Sequence, residues 1–321
     1  MPAHSWNYCA ALAQSSQLEC HLYVGRLRES KVICPVSVRA KEGGYREIIS
    51  PYGFGGVLMT GSLMNEKEFA EEWDQYWKEQ GVVTAYIMQH PLCRLHAEVW
   101  KSTVHEGPTL FTLDLKLPIE KLWQNMKNAH RYEIRKLQQK HGVHVVSDKQ
   151  SLHHALFELY PQTLERVGAS EVYYFSRTTL EMLIDMPDAL AIGAACDGTV
   201  QAMSLFLTAN GAADYFLNAS SEEGKKYSRL LLWAGMTELQ ERKIPYLNLG
   251  GGAGQGGPLE SFKRRFGGVQ VRGQVIKQIF DRNRYDYLMK YAATREEQGY
   301  FPPYWKGMAK HGAHKANGRI V

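Results

Sequence analysis

AIGAACDGTVQAMSLFLTANGAADYFLNA, residues 191–219, reads as three apolar runs punctuated by two dipeptides suited to tight hairpins. The runs are 191–196, 200–208 and 212–219, and the punctuation is Asp197-Gly198 and Asn210-Gly211. Asx-Gly supplies the positive φ that a type I′ turn demands, so the stretch predicts a three-stranded antiparallel meander. Glu222-Glu-Gly-Lys-Lys226 then leads into a helix over 227–242, where Leu230, Leu231, Ala234 and Leu239 make one buried face. A strand over 246–249 follows, so the order is β-β-β-α-β.

Working outward, the first half repeats that order. Runs 19–27, 31–40 and 45–50 alternate like strands, with turns at 28–30 and 42–44. A helix over 65–80 sets Phe69, Trp73 and Trp77 on one face, ends at Gly81 and leads into a strand over 82–88. Helices over 119–141 and 151–166 open the second copy, much as a helix over 4–14 opens the first. A meander feeding a helix and a further strand is similar to the core of the GNAT acyltransferase fold. In that fold the strand before the helix splays from its neighbour and the acyl donor sits in the gap. The predicted class is α+β (mixed α/β), with two GNAT-like domains, each a mostly antiparallel twisted sheet flanked by helices. Residues 1–115 form the first domain, 116–297 the second with the acyl-transfer site, and 298–321 a C-terminal tail.

Composition sets the outer limits. A chain of 321 residues, 44% hydrophobic and 22% charged, is long enough for two globular cores. No apolar run reaches the roughly 18 residues of a membrane span, and no basic segment followed by an apolar core opens the sequence, so a cytoplasmic protein is expected. Five scattered cysteines without CxxC spacing argue against a disulfide framework, and twelve scattered histidines without HExxH predict no metal site. The net charge of +5 is unevenly placed: Lys121, Lys127, Arg131, Arg135, Lys136 and Lys140 crowd one stretch. Its expected partner is anionic, whether a phosphate-rich cofactor, nucleic acid or a nucleotide-linked substrate.

A second anion signal lies further on. The Gly-rich turn 247–257 runs from an apolar strand end into the basic helix 261–268, where Lys263, Arg264 and Arg265 cluster. Glycines let a ligand approach the main chain, and helix N-terminal amides favour negative charge. Gly251, Gly252 and Arg264 are therefore candidate donor-binding residues. Gly252-Ala-Gly254-Gln-Gly-Gly257 also satisfies GxGxxG, but that dinucleotide fingerprint belongs to the first turn of a parallel βαβ unit, whereas this one follows an antiparallel stretch. The loop 220–228 carries Lys225, Lys226 and Ser228 at the start of the predicted helix, where a GNAT-like fold receives a donor's phosphates. An ordinary polar loop is the plain alternative.

Six segments, in order, resemble the FemAB-like acyltransferases: Ser50-Pro-Tyr-Gly-Phe-Gly-Gly56; His130-Arg-Tyr-Glu-Ile-Arg-Lys136 with Gly142-Val143; 215–233; Leu249-Gly-Gly251; Ser261-Phe-Lys-Arg-Arg-Phe-Gly267; and Tyr300-Phe-Pro-Pro-Tyr304. The family includes peptidoglycan bridge-forming aminoacyltransferases that use aminoacyl-tRNA. The resemblance implies attack by an acceptor amine on an activated acyl carbonyl, with Lys263 matching a lysine placed near the reacting ester and steadying the oxyanion. Tyr52, Gly53, Gly55 and Gly56 would line the acceptor side, although a turn that merely closes the first sheet reads equally well. Arg131 and Arg135, four apart on a helix, offer two forks to a phosphate or carboxylate of the acceptor. Tyr215 and Asn218 flank the donor gap as candidate catalytic residues, Tyr215 being either a proton relay or a satisfied core tyrosine. Asp214 is a weaker base candidate.

One departure from the bridge-forming enzymes is the lack of a sustained heptad run for a coiled-coil arm. The expected function is N-acyl or aminoacyl transfer onto an amine of a cell-envelope, sugar-nucleotide or related small metabolite. No cofactor is tightly bound; the donor is a co-substrate, aminoacyl-tRNA or acyl-CoA, and tRNA is a possible partner. The alternative is a non-catalytic tandem-GNAT module that binds RNA or nucleotide ligands.

Overall fold

A computed structural model describes residues 1–16, 18–27, 30–40, 44–60, 63–100, 103–209, 211–252, 256–291 and 301–304. A 3-10 turn, Pro2–His4, precedes α1 (Trp6–Ser16). The first copy follows as β1 (Glu19–Leu27), β2 (Ser30–Ala40), β3 (Arg46–Ile49), β4 (Leu58–Met59), α2 (Leu63–Glu79) and β5 (Val82–Met88). A short α3 (Ala97–Trp100) leads to β6 (Val104–Asp114). Next come α4 (Ile119–Asn125), α5 (Asn128–Gln138), β7 (Val143–Val146), α6 (Lys149–Val167) and α7 (Arg177–Ile184). The second copy is β8 (Ala189–Cys196), β9 (Thr199–Ala209), β10 (Ala212–Ser220), α8 (Ser228–Glu241) and β11 (Tyr246–Gly251). The described chain ends with α9 (Pro258–Arg265), β12 (Val269–Ile279) and α10 (Arg282–Tyr291).

The second copy has the β-β-β-α-β order read from the sequence and the first has it with the two-residue β4 added before α2; each closes on a parallel pair, β3 with β5 and β10 with β11. The turn at Asp197-Gly198 has positive φ at both residues, 50° and 82°, as the hairpin requires. Asn210, Arg28, Glu29, Glu42 and Gly43, from the other expected turns, lie outside the described residues. The two copies share one sheet in the order β1-β2-β3-β5-β12-β6-β11-β10-β9-β8-β7, with β4 beside β2. The middle of that order is an exchange: β12 separates β5 from β6, and β6 separates β12 from β11. The fold is mixed α/β, with a mostly antiparallel sheet and helices on its faces.

The periodic apolar faces explain the layers. On one face of the second copy, Leu122, Ile134, Leu137, Leu230, Leu231 and Leu239 pack α4, α5 and α8 over Phe206 and Phe111. On the opposite face, Leu152, Leu156, Leu159, Leu180 and Leu183 pack α6 and α7 over Met203, Leu205 and Leu207. In the first copy, Phe69, Trp73 and Trp77 of α2 cover Val32, Val36, Ala85 and Ile87.

The expected helix over 119–141 is two helices, because after Met126 the amide of Lys127 donates to the Arg265 carbonyl (2.8 Å) instead of continuing the ladder. Among the described residues, no helix is long and apolar enough to cross a membrane.

Candidate active site

β10 and β11 are hydrogen-bonded only through Ala213 with Leu247 and Asp214 with Asn248. Beyond that point β10 stays with β9 as far as Ser220, whose N–H donates to Thr163 Oγ1 (2.8 Å) and whose carbonyl accepts from Arg166 (2.8 Å), both on α6. The far end of β10 is thus tied to a helix and not to β11, and the pairing of the two strands stops at Asp214 and Asn248.

Within β10 a bulge between Tyr215 and Leu217 breaks the strict alternation of faces. Tyr215 and Asn218 consequently meet one neighbour: the Tyr215 hydroxyl lies 3.5 Å from Ser204 Oγ, and Asn218 Nδ2 donates to it at 3.0 Å. Asn218 Oδ1 in turn accepts from Ser228 Oγ (3.3 Å) at the start of α8. Burial pushes the Tyr215 hydroxyl up to about 12, against the bonds from Ser204 and Asn218, so it is a proton donor at neutral pH.

Lys263 reaches β11. It is 5% exposed, and its Nζ donates to the Gly251 carbonyl at 2.5 Å. Burial lowers its ammonium to about 8, while nearby Glu260 pulls the other way. Gly250, whose φ of 69° favours glycine, lies against both the ammonium and Phe54: a Cβ there would be 3.5 Å from Lys263 Nζ and 3.5 Å from the Phe54 ring. Phe54 belongs to the first copy's 51–57 loop, so the lysine sits at the seam between copies. Arg264, one position round α9, is exposed, with its guanidinium 5.6 Å from the Phe111 ring centre. Gly252 is half-buried, and residues 253–255 of the Gly-rich turn lie outside the described residues.

The seam holds a second polar group that the sequence does not flag. His90, in the loop after β5, is buried and donates to Asp214 Oδ1 at 3.1 Å. Asn248 Nδ2 donates to the same oxygen at 2.9 Å, and Asn248 Oδ1 accepts from the Gly250 amide at 2.8 Å. Nothing in the spacing of His90 marks it, because its partner Asp214 lies 124 residues further along the chain.

The acceptor residues expected from the sequence are divided by the sheet. Tyr52 makes edge contacts with Phe175 (5.0 Å), Tyr173 (5.6 Å) and Phe216 (5.7 Å), on the α6 face at the seam. The glycines beside it are filled by the chain's own atoms. A Cβ at Gly53 would lie 2.6 Å from the Tyr8 hydroxyl, at Gly55 2.8 Å from Pro35, and at Gly56 2.1 Å from Gln89 Oε1. Arg131 and Arg135 lie instead on the α8 face, in a recess of about 580 Å³ with Trp123, Asn128 and Tyr132. Arg131 is held by Asn128, and Arg135 lies over the Trp123 ring at 5.2 Å. His130, one residue away, accepts from Arg229 Nε (3.2 Å) and so holds that arginine in the first turn of α8.

The donor residues are likewise dispersed. Lys225 and Lys226 are exposed; Lys225 pairs with Glu222, and Lys226 lies 5.2 Å from the Tyr227 ring centre. Gly224 packs the 221–224 loop so tightly on β9 that a Cβ would fall 1.8 Å from the Gln201 carbonyl. Of that set, Ser228 alone joins the Tyr215–Asn218 cluster through a described hydrogen bond.

Residues 124–264 match the family described as an acetyltransferase (GNAT) domain. Among solved structures, the chain is similar to FemX, with a TM-score of 0.67, 12% identity, and 86% of this chain and 92% of that one covered. It is also similar to the C-terminal domain of a protein from Agrobacterium fabrum assigned as a lysylphosphatidylglycerol synthetase (TM-score 0.57, 11% identity, 84% and 92% covered). A third likeness is to L-PGS from Bacillus licheniformis (TM-score 0.54, 14% identity, 86% and 87% covered). No curated protein matches the sequence. Residues 124–264 thus match a GNAT acetyltransferase domain, and the chain around them shares the fold of FemX.

Proposed function

We infer that the protein transfers an acyl or aminoacyl group from an activated donor in the cytoplasm to an amine of a cell-envelope, sugar-nucleotide or related small metabolite. The observation that carries this reading is the Lys263 ammonium, buried at the seam beside Gly250, Gly251 and Phe54. Attack on an acyl carbonyl concentrates negative charge on one oxygen, and a desolvated cation already in place stabilises it without reorganisation. Gly250, at positive φ and without a side chain, leaves the main chain beside that cation uncovered. Tyr215, kept protonated by burial, is suited to give a proton to the departing thiolate or alkoxide.

The test compares wild-type protein with Lys263→Ala, using acetyl-CoA and aminoacyl-tRNA as donors. Loss of transfer on the order of 10²–10³-fold with donor affinity kept supports the reading; unchanged turnover sinks it. A second reading, RNA or nucleotide binding without turnover, draws on the recess of Trp123, Tyr132, Arg131 and Arg135, since aromatic faces and guanidinium groups together suit bases and phosphates. Binding of RNA that weakens steeply with salt, with no acyl transfer from either donor, favours that reading.

A further inference from the structure

We propose that Asp214 receives and deprotonates the acceptor amine, and that His90, reaching across from the first copy, positions its carboxylate; this rests on the acyl-transfer reading above. The geometry begins with how the carboxylate is used. Both His90 Nε2 and Asn248 Nδ2 donate to Oδ1, and among the described residues Oδ2 takes no hydrogen bond. A carboxylate has about four acceptor sites, and one left half-used is an opening for a donor from outside. The Asp214 side chain is 13% exposed, so a ligand's ammonium can reach it, whereas the His90 side chain is fully buried.

The tautomer of His90 follows from its other nitrogen. The Leu92 amide donates to Nδ1 at 3.2 Å, so Nδ1 carries no proton and Nε2–H is the donor to Asp214. His90 thereby fixes the carboxylate from one side as Asn248 fixes it from the other, and Asn248 links it to Gly250 beside Lys263. Between Asn248 and Gly250 β11 bulges, with Gly250 at φ 69°, which turns the strand between the Asp214 pair and the Lys263 ammonium.

The other titratable groups turned toward Asp214 are His4 of the N-terminal turn, Tyr8 of α1 and Cys93 after β5. Burial lowers His4 to about 4, raises the Tyr8 hydroxyl and pushes Cys93 up to about 11, so all three are uncharged at neutral pH. The Met1 amino group acts on His4 and Cys93.

The step balances as follows. Asp214 takes one proton from the acceptor's ammonium, and the freed nitrogen lone pair forms the C–N bond. The carbonyl π pair moves to oxygen beside Lys263. On collapse the bond to the donor's sulfur or oxygen breaks, the leaving group takes the Tyr215 proton, the second amine proton restores the Tyr215 hydroxyl, and Asp214 returns its proton to solvent.

Asp214→Asn keeps the shape and removes the base. Transfer to an alkylamine is expected to fall 10²–10⁴-fold, whereas transfer to hydroxylamine, which is already unprotonated at neutral pH, falls less than about tenfold. His90→Phe removes the donor that positions the carboxylate, so alkylamine transfer falls at least about tenfold with hydroxylamine transfer little changed; His90→Gln, which retains a donor, restores it. Alkylamine transfer kept by Asp214→Asn, equal loss with both nucleophiles, or alkylamine transfer unchanged in His90→Phe overturns the proposal while leaving acyl transfer standing. Should Asp214→Asn not fold, the contrast between the two nucleophiles in His90→Phe and its rescue by His90→Gln decide. Wild-type protein that transfers nothing from either acetyl-CoA or aminoacyl-tRNA overturns both.

Discussion

Lys263 shows how one buried charge ties function to stability. Its ammonium must be protonated to steady an oxyanion, and burial lowers it to about 8, so turnover is expected to fall as pH rises through about 8. Glu260 holds that value up, and Glu260→Gln should move the fall to lower pH in a kcat profile. The stability sign runs the other way. The folded state prefers the neutral amine more than the unfolded chain does, so the contribution of Lys263 to stability grows between pH 8 and the ordinary lysine value of 10.5. Lys263→Met removes the desolvation penalty as well as the cation. It is expected to abolish transfer yet raise the Tm by a few degrees at neutral pH, a trade of stability against activity. A lowered Tm measured by calorimetry would show that the bond to the Gly251 carbonyl matters more than desolvation.

At the scale of elements, α8 is placed against the sheet by a glycine. A Cβ at Gly235 would fall 2.2 Å from the fully buried Phe206 ring, closer than side chains tolerate. Alanine there gains about 1 kcal/mol of helix propensity but overpacks the interface at a cost of about 1–3 kcal/mol. Gly235→Ala is therefore expected to lower the denaturation midpoint. It should also lower kcat, since α8 carries Ser228, which is bonded to Asn218 of β10. This helix and the meander before it were legible because their signals are local: Asp-Gly at a turn, apolar residues at helical spacing. The central strands β6 and β12 were not read as strands, and the reason is tertiary. β6 contains Gly107 and Pro108, which read as breakers in isolation. In the sheet, a Cβ at Gly107 would lie 3.2 Å from the Gly273–Gln274 backbone, and one at Gly273 2.7 Å from the Pro108 carbonyl. The glycines are demanded by the close approach of two strands far apart in sequence. The same holds at the site. The segment of Lys263 could be singled out from its Gly-rich approach and basic cluster, but His90 gains meaning only against Asp214, 124 residues away.

At the scale of the molecule, the exchange of β6 and β12 makes the two copies one sheet. A cut between 115 and 116 leaves β5 and β6 in one fragment without the strand that lies between them, and leaves β12 in the other without either neighbour. The bared strands are apolar: Val83, Ala85 and Ile87 on β5, Leu110, Phe111 and Leu113 on β6, Val275 and Ile276 on β12, all buried in the intact chain. Unpaired backbone edges with such side chains template aggregation. We therefore expect fragments 1–115 and 116–321 to be insoluble or unfolded when made separately, and to assemble into a soluble complex when made together. The intact chain should melt in a single transition by both calorimetry and circular dichroism, because neither copy has a complete sheet of its own. A cooperative melt of fragment 1–115 alone would mean that β5 and β6 can close on each other. The seam that brings Phe54 and His90 to Lys263 and Asp214 would then be a docking of finished domains, and mutations within it would lower activity without lowering the stability of either half.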